Sequence, residues 1–364
     1  MQYRIQLQPG GQAFSATEDH TLLDAALAAG FTLPHGCRTG VCGACKGRIV
    51  QGEADPGAYG KHVLPDAERA EGHALLCCAR ARSDLVIELP KGARVSDIPV
   101  KKLPCRVSRL ERLAEDVMRV DLQLPATEAF TFRAGQYIDI VLPGGEHRSF
   151  SIANAPCRKD SLELHIRRVP GGRFTGHVFE EMKLRDILRI EGPHGDFRLH
   201  EDSGRPIVMI GGGTGFAPLK GLVEHAIHIG LERPIAFYWG AHTPSGLYLH
   251  EMAQSWQTRL PGFRYIPVIS GADPDGGWTG RRGLAHEAAL ADFADLSQHE
   301  VYACGSPPMI KAARKNLTRE RGLPAEAFYA DVFTFASVPA AKDGVDKDQA
   351  DEPDRIPDPR TCSQ

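Results

Sequence analysis

The hydrophobic pattern changes twice along the chain, and each change predicts a new domain. Up to about residue 90, short segments of alternating apolar and polar residues surround one helical segment. From residue 105 to about residue 199, strand-like runs follow one another with Gly/Pro turns between them. After residue 206, fully apolar runs alternate with helical stretches. This order predicts a small α+β domain, an antiparallel β-barrel and a parallel α/β domain.

The first region contains a predicted hairpin, a helix and further strands. Residues 3–8 and 12–16 alternate on either side of a Pro-Gly-Gly turn, which is typical of a hairpin. The helical segment 21–30 opens with a threonine cap and ends at a glycine. Apolar runs at 47–50 and 85–88 predict two further strands. Together these elements outline a β-grasp domain.

The second and third regions differ in how their apolar runs are connected. Short turns separate the runs of the second region, whereas helical stretches separate those of the third. The strands predicted for the second region include 117–124, 137–142 and 162–169. The elements predicted for the third are strands 207–210, 235–239, 263–269 and 300–304 and helices 216–229, 250–258 and 284–292.

Composition and charge exclude several classes of protein. The chain has 364 residues, more than a single hydrophobic core usually supports. Its 43 basic and 46 acidic side chains give a formal net charge of −3, so we expect no nucleic-acid partner. No apolar run reaches the length of a membrane helix, and the first residues lack the pattern of a secretion signal. We therefore expect a cytoplasmic protein without a membrane partner.

Two polar segments interrupt or end the globular pattern. Residues 93–102 belong to a polar, turn-rich stretch and predict a linker. Residues 338–364 are acidic and poor in large apolar side chains, which predicts a disordered tail. The predicted boundaries are 1–92 for the first domain, 93–102 for the linker, 103–203 for the barrel, 204–337 for the α/β domain and 338–364 for the tail.

Cysteine spacing supplies the strongest chemical signal in the chain. Nine cysteines are present, an odd number that argues against a disulfide framework. Cys37, Cys42 and Cys45 follow the C-x4-C-x2-C spacing of a plant-type [2Fe–2S] site, in a glycine-rich loop. Cys77 and Cys78 are both candidates for the fourth ligand. A zinc site is the alternative, because Cys42 and Cys45 alone also have the spacing of a zinc knuckle.

The first region resembles plant-type ferredoxins in this loop and in its β-grasp outline. By that resemblance the last ligand lies seven residues before the end of a Ser-Asp pair, and Ser83-Asp84 then favours Cys77. Cys78 is expected to be a buried neighbour whose side chain points to the opposite side. The metal ligands that the resemblance implies are Cys37, Cys42, Cys45 and Cys77.

The tetrapeptide Arg148-Ser149-Phe150-Ser151 ends a predicted barrel strand. Its R-x-F-S pattern resembles the flavin motif of the ferredoxin–NADP⁺ reductase superfamily, in which Tyr often stands where this chain has Phe150. The resemblance implies that Arg148 pairs with the pyrophosphate of FAD and that Phe150 stacks on the flavin. It also implies that Ser151 hydrogen-bonds near flavin N5, and Ser149 belongs to the same cofactor-binding segment.

A second barrel segment, residues 164–175, follows the same superfamily pattern. His165 lies in its strand, and Gly172 and Thr175 lie where a helix over 175–181 is expected to begin. The resemblance makes all three cofactor-binding residues, and a helix N-terminus suits a pyrophosphate. The alternative for Gly172 and Thr175 is an ordinary glycine turn followed by a helix cap.

Three segments of the α/β region resemble the nucleotide domain of this superfamily. They are a Gly-Gly-Gly-Thr-Gly run, a Tyr-Trp-Gly run and a Cys-Gly-Ser-Pro-Pro-Met run, each following an apolar strand. The resemblance implies that Cys304 lies beside nicotinamide C4 and, with Ser151, is catalytic; a small core residue is the alternative for Cys304. The cofactor-binding residues implied are Gly211, Gly212, Gly213, Thr214, Gly215, Gly240, Cys304, Gly305, Pro307 and Met309.

Near the end of the α/β region, Asp331-Val332-Phe333 resembles the acidic-x-Phe ending of the superfamily. By that resemblance, Phe333 or Phe335 shields a face of the flavin. A core aromatic is the alternative.

The order of the three regions resembles that of oxygenase reductase components and of CDP-6-deoxy-Δ3,4-glucoseen reductases, over about residues 1–336. The resemblance implies electron transfer from NADH through FAD to a [2Fe–2S] cluster and on to a terminal enzyme, a sugar dehydrase or an oxygenase. The resemblance also implies NADH rather than NADPH, and the loop 241–245 has no Arg or Lys for a 2′-phosphate. A redox sensor is the alternative of another class.

Overall fold

The structure, a computed structural model, describes residues 1–61, 63–90, 98–271, 273 and 276–334. These residues belong to one compact unit, Met1–Thr334. Residues 93–97 of the predicted linker 93–102, the whole predicted tail 338–364 and Phe335 lie outside the described residues. Within the described ranges, no helix is both long enough and apolar enough to cross a membrane.

The N-terminal domain is a mixed sheet with a helix packed against it. Its elements are β1 (Gln2–Gln8), β2 (Ala13–Thr17), α1 (Leu22–Ala28), β3 (Lys46–Gln51), β4 (Ala54–Asp55), α2 (Asp66–Ala70), β5 (His73–Leu75), β6 (Arg80–Ala81) and β7 (Leu85–Glu88). The main sheet has the order β2-β1-β7-β3-β5, with β1 and β7 parallel at its centre. Thr21 caps α1 by accepting a hydrogen bond from the backbone N–H of Asp24. This arrangement confirms the predicted β-grasp fold.

The barrel domain consists of antiparallel strands and one helix. Its elements are β8 (Lys101–Ala114), β9 (Val117–Gln123), β10 (Tyr137–Val141), β11 (His147–Ser151), β12 (Ser161–Arg167), α3 (Arg173–Glu180) and β13 (Ile187–His194). Every pair in the order β11-β10-β13-β8-β9-β12 is antiparallel. A bridge between Ile152 and Leu164 joins the two edges of this sheet. The helix begins at Arg173, two residues before the predicted start at Thr175.

The C-terminal domain is a parallel sheet with helices between its strands. Its elements are β14 (Ile207–Gly212), α4 (Phe216–His228), β15 (Ile235–Ala241), α5 (His250–Ser255), β16 (Phe263–Ile269), β17 (Arg281–Arg282), α6 (Ala285–Asp292), β18 (Glu300–Gly305), α7 (Pro307–Glu320) and β19 (Phe328–Val332). The order β17-β16-β15-β14-β18-β19 reverses direction between β14 and β18, and all neighbours are parallel. Ligands of such sheets bind at the carboxyl ends of the strands where the order reverses.

The loop between α1 and β3 packs against both other domains. Cys42 is buried in an apolar cluster with Ile210, Val301 and Val332, which belong to the C-terminal sheet. On the barrel side, the Tyr137 hydroxyl donates to the backbone carbonyl of Gly36 at 3.1 Å. The cysteine-rich loop therefore lies where the three domains meet.

Candidate functional site

The first two cysteines of the loop form a close pair. The backbone N–H of Cys37 donates to the Cys42 sulfur at 3.4 Å, and those of Thr39 and Val41 donate to the Cys37 sulfur at 3.4 Å each. The hydrogen bond with Cys42 is the largest cause that lowers the pKa of Cys37 to about 5, with Thr39 and Val41 contributing. Backbone N–H groups aimed at the sulfurs stabilise thiolates, which are the form that binds iron.

Cys45 and Cys77 form the second pair. Contact with the Cys45 thiol is the largest cause that raises the pKa of Cys77. Among the described residues, no three Cys, His, Asp or Glu side chains are gathered around a single metal position. A [2Fe–2S] cluster takes four thiolates shared between two irons, so two pairs of cysteines match its donor set. The residues present therefore fit this cluster.

Cys78 does not point away from Cys77, so that prediction is wrong. The two sulfurs lie 3.6 Å apart, and Cys78 is half-buried rather than buried. The expected alternation holds only in a strand, whereas residues 76–78 form a turn. The prediction took this segment as extended, and the turn brings both sulfurs to the same side.

The flavin motif lies on β11, at the edge of the barrel. Arg148 is half-buried and donates to the Glu146 carboxylate at 2.8 Å and to the carbonyl of His147 at 2.9 Å. Phe150 is half-buried, with its ring 5.6 Å from that of Phe174 on α3. A guanidinium and an aromatic ring on the same strand are thus accessible to a ligand at this edge.

Gly172 and Thr175 lie at the start of α3. Gly172 is the capping residue and provides no side-chain cap. The Thr175 hydroxyl accepts from the backbone N–H of Val169 at 3.1 Å and donates to the carbonyl of Gly172 at 3.2 Å. Thr175 therefore shapes the turn before the helix, and the binding of a pyrophosphate by these residues stays a prediction.

His165 is buried between the barrel and C-terminal domains. One ring nitrogen lies 2.9 Å from the Glu163 carboxylate and the other lies 3.1 Å from the Tyr248 hydroxyl. Burial is the largest cause that lowers the pKa of His165, and Glu163 opposes it. Because protein groups occupy both ring nitrogens, a cofactor contact of this residue would involve its backbone.

The glycine run lies at the carboxyl end of β14, facing the end of β18. Gly211 and Gly212 complete β14, and residues 213–215 form one turn of 3₁₀ helix before α4. A Cβ atom at Gly215 would lie 2.2 Å from the backbone oxygen of Cys304, so the two segments touch through their backbones. Only glycine permits this approach. Thr214, within this turn, is half-buried.

Cys304 and its neighbours form the other side of this cleft. Cys304 is fully buried, and burial raises its pKa well above the ordinary value. Gly305 follows it, and Pro307 is the first residue of α7. Met309, on the first turn of α7, has its sulfur 2.7 Å from where a Cβ of Gly212 would be. The structure thus brings the glycine run and the Cys-Gly-Ser-Pro segment together.

Gly240 and Phe333 lie at the margins of the cleft. Gly240 pairs with Gly212 across β15 and β14 and is half-buried. The backbone N–H of Phe333 donates to the carbonyl of Gly305 at 2.9 Å. Both residues therefore adjoin the cofactor segments named above, and their contacts with flavin or nicotinamide stay predictions.

Asp331 is a functional candidate that the sequence analysis did not select. It is buried on β19, pairs with Cys304 of β18, and accepts a hydrogen bond from the Ser151 hydroxyl at 3.2 Å. Burial is the largest cause that raises the pKa of Asp331 to about 7, and the bond from Ser151 opposes the rise. A carboxyl group of this kind can hold or release a proton near neutral pH. The acidic-x-Phe ending includes Asp331, but the burial of this residue depends on packing between segments that are distant in sequence.

Ion pairs connect the cysteine loop to the flavin strand. Arg38, next to Cys37, contacts Asp139 on β10 at 3.2 Å and Asp24 on α1 at 3.1 Å. The buried Asp139 also accepts from the Ser149 hydroxyl. Arg38 adopts a left-handed backbone conformation with φ 59°, which is unusual for a residue other than glycine. The contact between Arg38 and Asp139 joins residues 101 positions apart in sequence, and no local pattern signals it.

Three family models match the chain in succession. Residues 5–82 match the 2Fe-2S iron-sulfur cluster binding domain, residues 104–199 the oxidoreductase FAD-binding domain and residues 209–315 the oxidoreductase NAD-binding domain. The first match favours the [2Fe–2S] interpretation of the cysteine loop over the zinc alternative. The three matches also confirm the predicted cofactor classes: a [2Fe–2S] cluster, FAD and a nicotinamide nucleotide.

Known proteins resemble the chain over nearly its whole length. CDP-6-deoxy-L-threo-D-glycero-4-hexulose-3-dehydrase reductase of Yersinia pestis is 40% identical over 333 residues, 92% of this chain and 99% of that protein. The phenol 2-monooxygenase reductase component DmpP of Pseudomonas sp. (strain CF600) is 34% identical over 92% of this chain and 96% of its own length. The crystal structure of the Amycolatopsis cytochrome P450 reductase GcoB superposes with a TM-score of 0.76 at 36% identity, covering 92% of this chain and all of that one.

The site, the domain order and these similarities agree with one another. A thiolate loop, a flavin strand and a nucleotide cleft meet within one compact unit, in the order that the matching families follow along the chain. The chain belongs to the iron–sulfur flavoprotein reductases, electron-transfer oxidoreductases in which a ferredoxin-type domain precedes the FAD-binding and NAD-binding domains.

Proposed function

We propose that this reductase takes electrons from NADH and passes them through FAD and its [2Fe–2S] cluster to a sugar dehydrase. One observation supports electron transfer between the three domains. Ser151 of the flavin strand bonds to Asp331, which pairs with Cys304 of the nucleotide cleft. The nearby Cys37 charge also acts on Asp331. Residues of all three domains therefore lie close to Asp331.

Each cofactor has a defined set of residues in this proposal. Cys37, Cys42, Cys45 and Cys77 hold the cluster. Arg148, Ser149, Phe150, Ser151, Gly172 and Thr175 hold FAD, with Phe333 beside it. Residues 211–215, with Gly240, Cys304, Gly305, Pro307 and Met309, hold the nicotinamide nucleotide. The bound flavin supplies the conversion of a two-electron hydride into single electrons. The protein orients the cofactors, and its Asp331 holds a proton beside Ser151.

A preference for NADH over NADPH is supported by the loop after β15. This loop contains no Arg or Lys, and its Thr243 and Ser245 hydroxyls bond to each other at 3.0 Å. Nearby on β17, Arg281 pairs with Asp292, and Arg282 with Asp273 at 3.3 Å. Each of these two guanidinium groups thus has a carboxylate as its partner. Steady-state kcat/KM for the two nucleotides tests the preference, and a higher value with NADPH would refute it.

The choice of a sugar dehydrase as partner rests on similarity. The Yersinia relative is a hexulose dehydrase reductase at 40% identity, compared with 34% for the phenol monooxygenase component. A ring-hydroxylating or other oxygenase is the second candidate, since the relatives also include terephthalate 1,2-dioxygenase reductase components at 36% and 37% identity. NADH oxidation measured with purified enzymes of each class decides between them.

The order of electron transfer is tested with one cysteine variant. Cys42→Ser should abolish NADH-driven reduction of cytochrome c, because that acceptor takes electrons from the cluster. The same variant should keep NADH-to-ferricyanide activity, since ferricyanide also accepts electrons from flavin. Survival of both activities would show that the cluster is not on the path. Rapid turnover with one-electron acceptors by the wild type also speaks against a redox sensor.

We also propose the domain boundaries 1–92, 103–203 and 204–337, with a linker at 93–102 and a tail at 338–364. The matches at 5–82, 104–199 and 209–315 each fall inside one of these ranges, which supports the division. A cytoplasmic location is proposed because NADH is supplied there. Limited proteolysis that yields fragments ending at these boundaries would support the division, and early cuts inside a proposed domain would contradict it.

A further inference from the structure

Two cysteines, Cys77 and Cys78, lie at the position of the fourth cluster ligand. The sulfurs of Cys77 and Cys78 are 3.6 Å apart. The turn that carries them is held by hydrogen bonds from the backbone N–H groups of Cys78 and Ala79 to the carbonyl of Leu75, at 2.9 Å each. Two sulfurs bound to one tetrahedral metal ion, each about 2.3 Å from it, lie about 3.8 Å apart. The spacing of the two sulfurs is therefore close to that of two ligands of a single ion.

The Cys78 sulfur lies against the loop that carries the other ligands. A Cβ atom at Gly40, between Cys37 and Cys42, would lie 2.7 Å from this sulfur, and Gly40 has a φ of +77°. Cys78 thus lies beside Cys77 and against the loop that carries Cys37, Cys42 and Cys45.

Solvent reaches Cys78 through an open groove. Its lining comprises Arg38, Thr39, Asp55, Gly57, Ala58, Cys77, Cys78 and Arg80. Cys78 is half-buried there, whereas Cys42, Cys45 and Cys77 are buried. The Cys78 sulfur can therefore be reached by a reagent in the groove, whereas its buried neighbour Cys77 is covered.

We propose that Cys78 is a reserve ligand, able to bind the iron that Cys77 binds and so to keep the cluster when Cys77 is lost. The proposal rests on the cluster-binding role given to these cysteines above. In the exchange, the Cys78 sulfur would form an Fe–S bond as the Fe–S bond to Cys77 breaks, and the proton of the Cys78 thiol would pass to the Cys77 sulfur, 3.6 Å away. Iron keeps its number of ligands, and no electron is transferred.

The test compares single and double alanine variants, because alanine has no atom that can replace sulfur. Iron and acid-labile sulfide per chain, the visible spectrum and the EPR spectrum after reduction are measured for each purified protein. Cys78→Ala should match the wild type in all of them. Cys77→Ala should keep most of the iron and sulfide with an altered EPR spectrum, and Cys77→Ala/Cys78→Ala should hold none. A Cys77→Ala protein as empty as the double variant would overturn the proposal.

Labelling with iodoacetamide provides a readout independent of cluster content. In the wild-type holoprotein, mass spectrometry should find Cys78 alkylated and Cys77 protected. In Cys77→Ala, Cys78 should become protected. Protection of Cys78 with alkylation of Cys77 in the wild type would make Cys78 the resident ligand and overturn the proposal.

Two controls separate the possible failures. Retained FAD and NADH-to-ferricyanide activity in Cys77→Ala show that the other two domains are folded and that any loss is local to the cluster site. A wild-type protein without iron and sulfide would overturn the proposed function itself. A wild type with a complete cluster, together with an empty Cys77→Ala variant, would overturn only the role of Cys78.

Discussion

The cysteine loop and the nucleotide cleft meet at the same place, but different forces hold them. Side chains secure the loop, through the ion pair of Arg38 with Asp139 and the hydrogen bond from Tyr137 to Gly36. Backbone contact forms the cleft, where Gly215 lies against the carbonyl of Cys304. Side-chain contacts can be removed singly at moderate cost, whereas a backbone contact tolerates no added atom. The loop should therefore respond gradually to substitution and the cleft abruptly.

The largest effect is expected from Gly215→Ala. The new Cβ would lie 2.2 Å from the Cys304 oxygen, so the backbone on one side of the cleft must move. Because a displacement of about 1 Å can reduce a rate about 100-fold, we expect NADH-driven flavin reduction to fall by about that factor in stopped-flow measurements. Gly204→Ala is the matched control, since a Cβ there meets open space. Equal rates in the two variants would show that the cleft does not respond abruptly to an added atom.

The next effect concerns Asp331, whose charge the cleft disfavours. Burial raises its pKa to about 7, so the folded protein keeps a proton that the unfolded chain releases above about pH 4. The stability of the wild type should therefore fall as the pH rises from about 4 to about 7, by a contribution of the order of 4 kcal/mol. Asp331→Asn should lack this contribution in urea unfolding curves measured across that range. Parallel pH dependence of both proteins would show that Asp331 is not buried as described.

A smaller effect is expected from Arg38→Ala in the loop. The change removes one partner of the buried Asp139, which keeps its bond from Ser149, and we expect a loss of about 1–3 kcal/mol in stability. Reduction of the cluster by flavin should slow, while NADH-to-ferricyanide activity stays at the wild-type level. Arg80→Ala, an exposed arginine lining the neighbouring groove, serves as control. Slower ferricyanide reduction in Arg38→Ala would mean that the ion pair supports the flavin site itself.

Tyr137→Phe should have the smallest effect of the series. It removes the hydroxyl that donates to the Gly36 carbonyl but keeps the buried ring. The expected loss of stability is about 0.5–1.5 kcal/mol, with the cluster spectrum unchanged. Increased hydrogen exchange confined to residues around Gly36 would show that this bond holds the loop to the barrel. A loss of stability larger than that of Arg38→Ala would show that the hydrogen bond from Tyr137 holds the loop more strongly than the ion pair of Arg38 does.

Secondary-structure elements and motifs could be predicted from the sequence, whereas most contacts between distant segments could not. Strands 85–88 and 263–269 have the predicted bounds, because their apolar runs are local signals. Cys78 was placed wrongly, since a turn replaced the extended segment on which the alternation rule depends. The pairing of Arg38 with Asp139 was not predicted, because the two residues lie 101 positions apart and no periodicity connects them. The burial of Asp331 depends in the same way on contacts across domains.

The position of Asp331 on the last strand, β19, has a consequence for how the protein is made. The cysteine loop leaves the ribosome early, whereas the carboxyl group beside Ser151 is among the last groups of the described chain to be synthesised. The contact between Ser151 and Asp331 can therefore form only after β19 has been synthesised. An incomplete product that stops before β19 would contain the loop cysteines and yet lack this carboxylic acid.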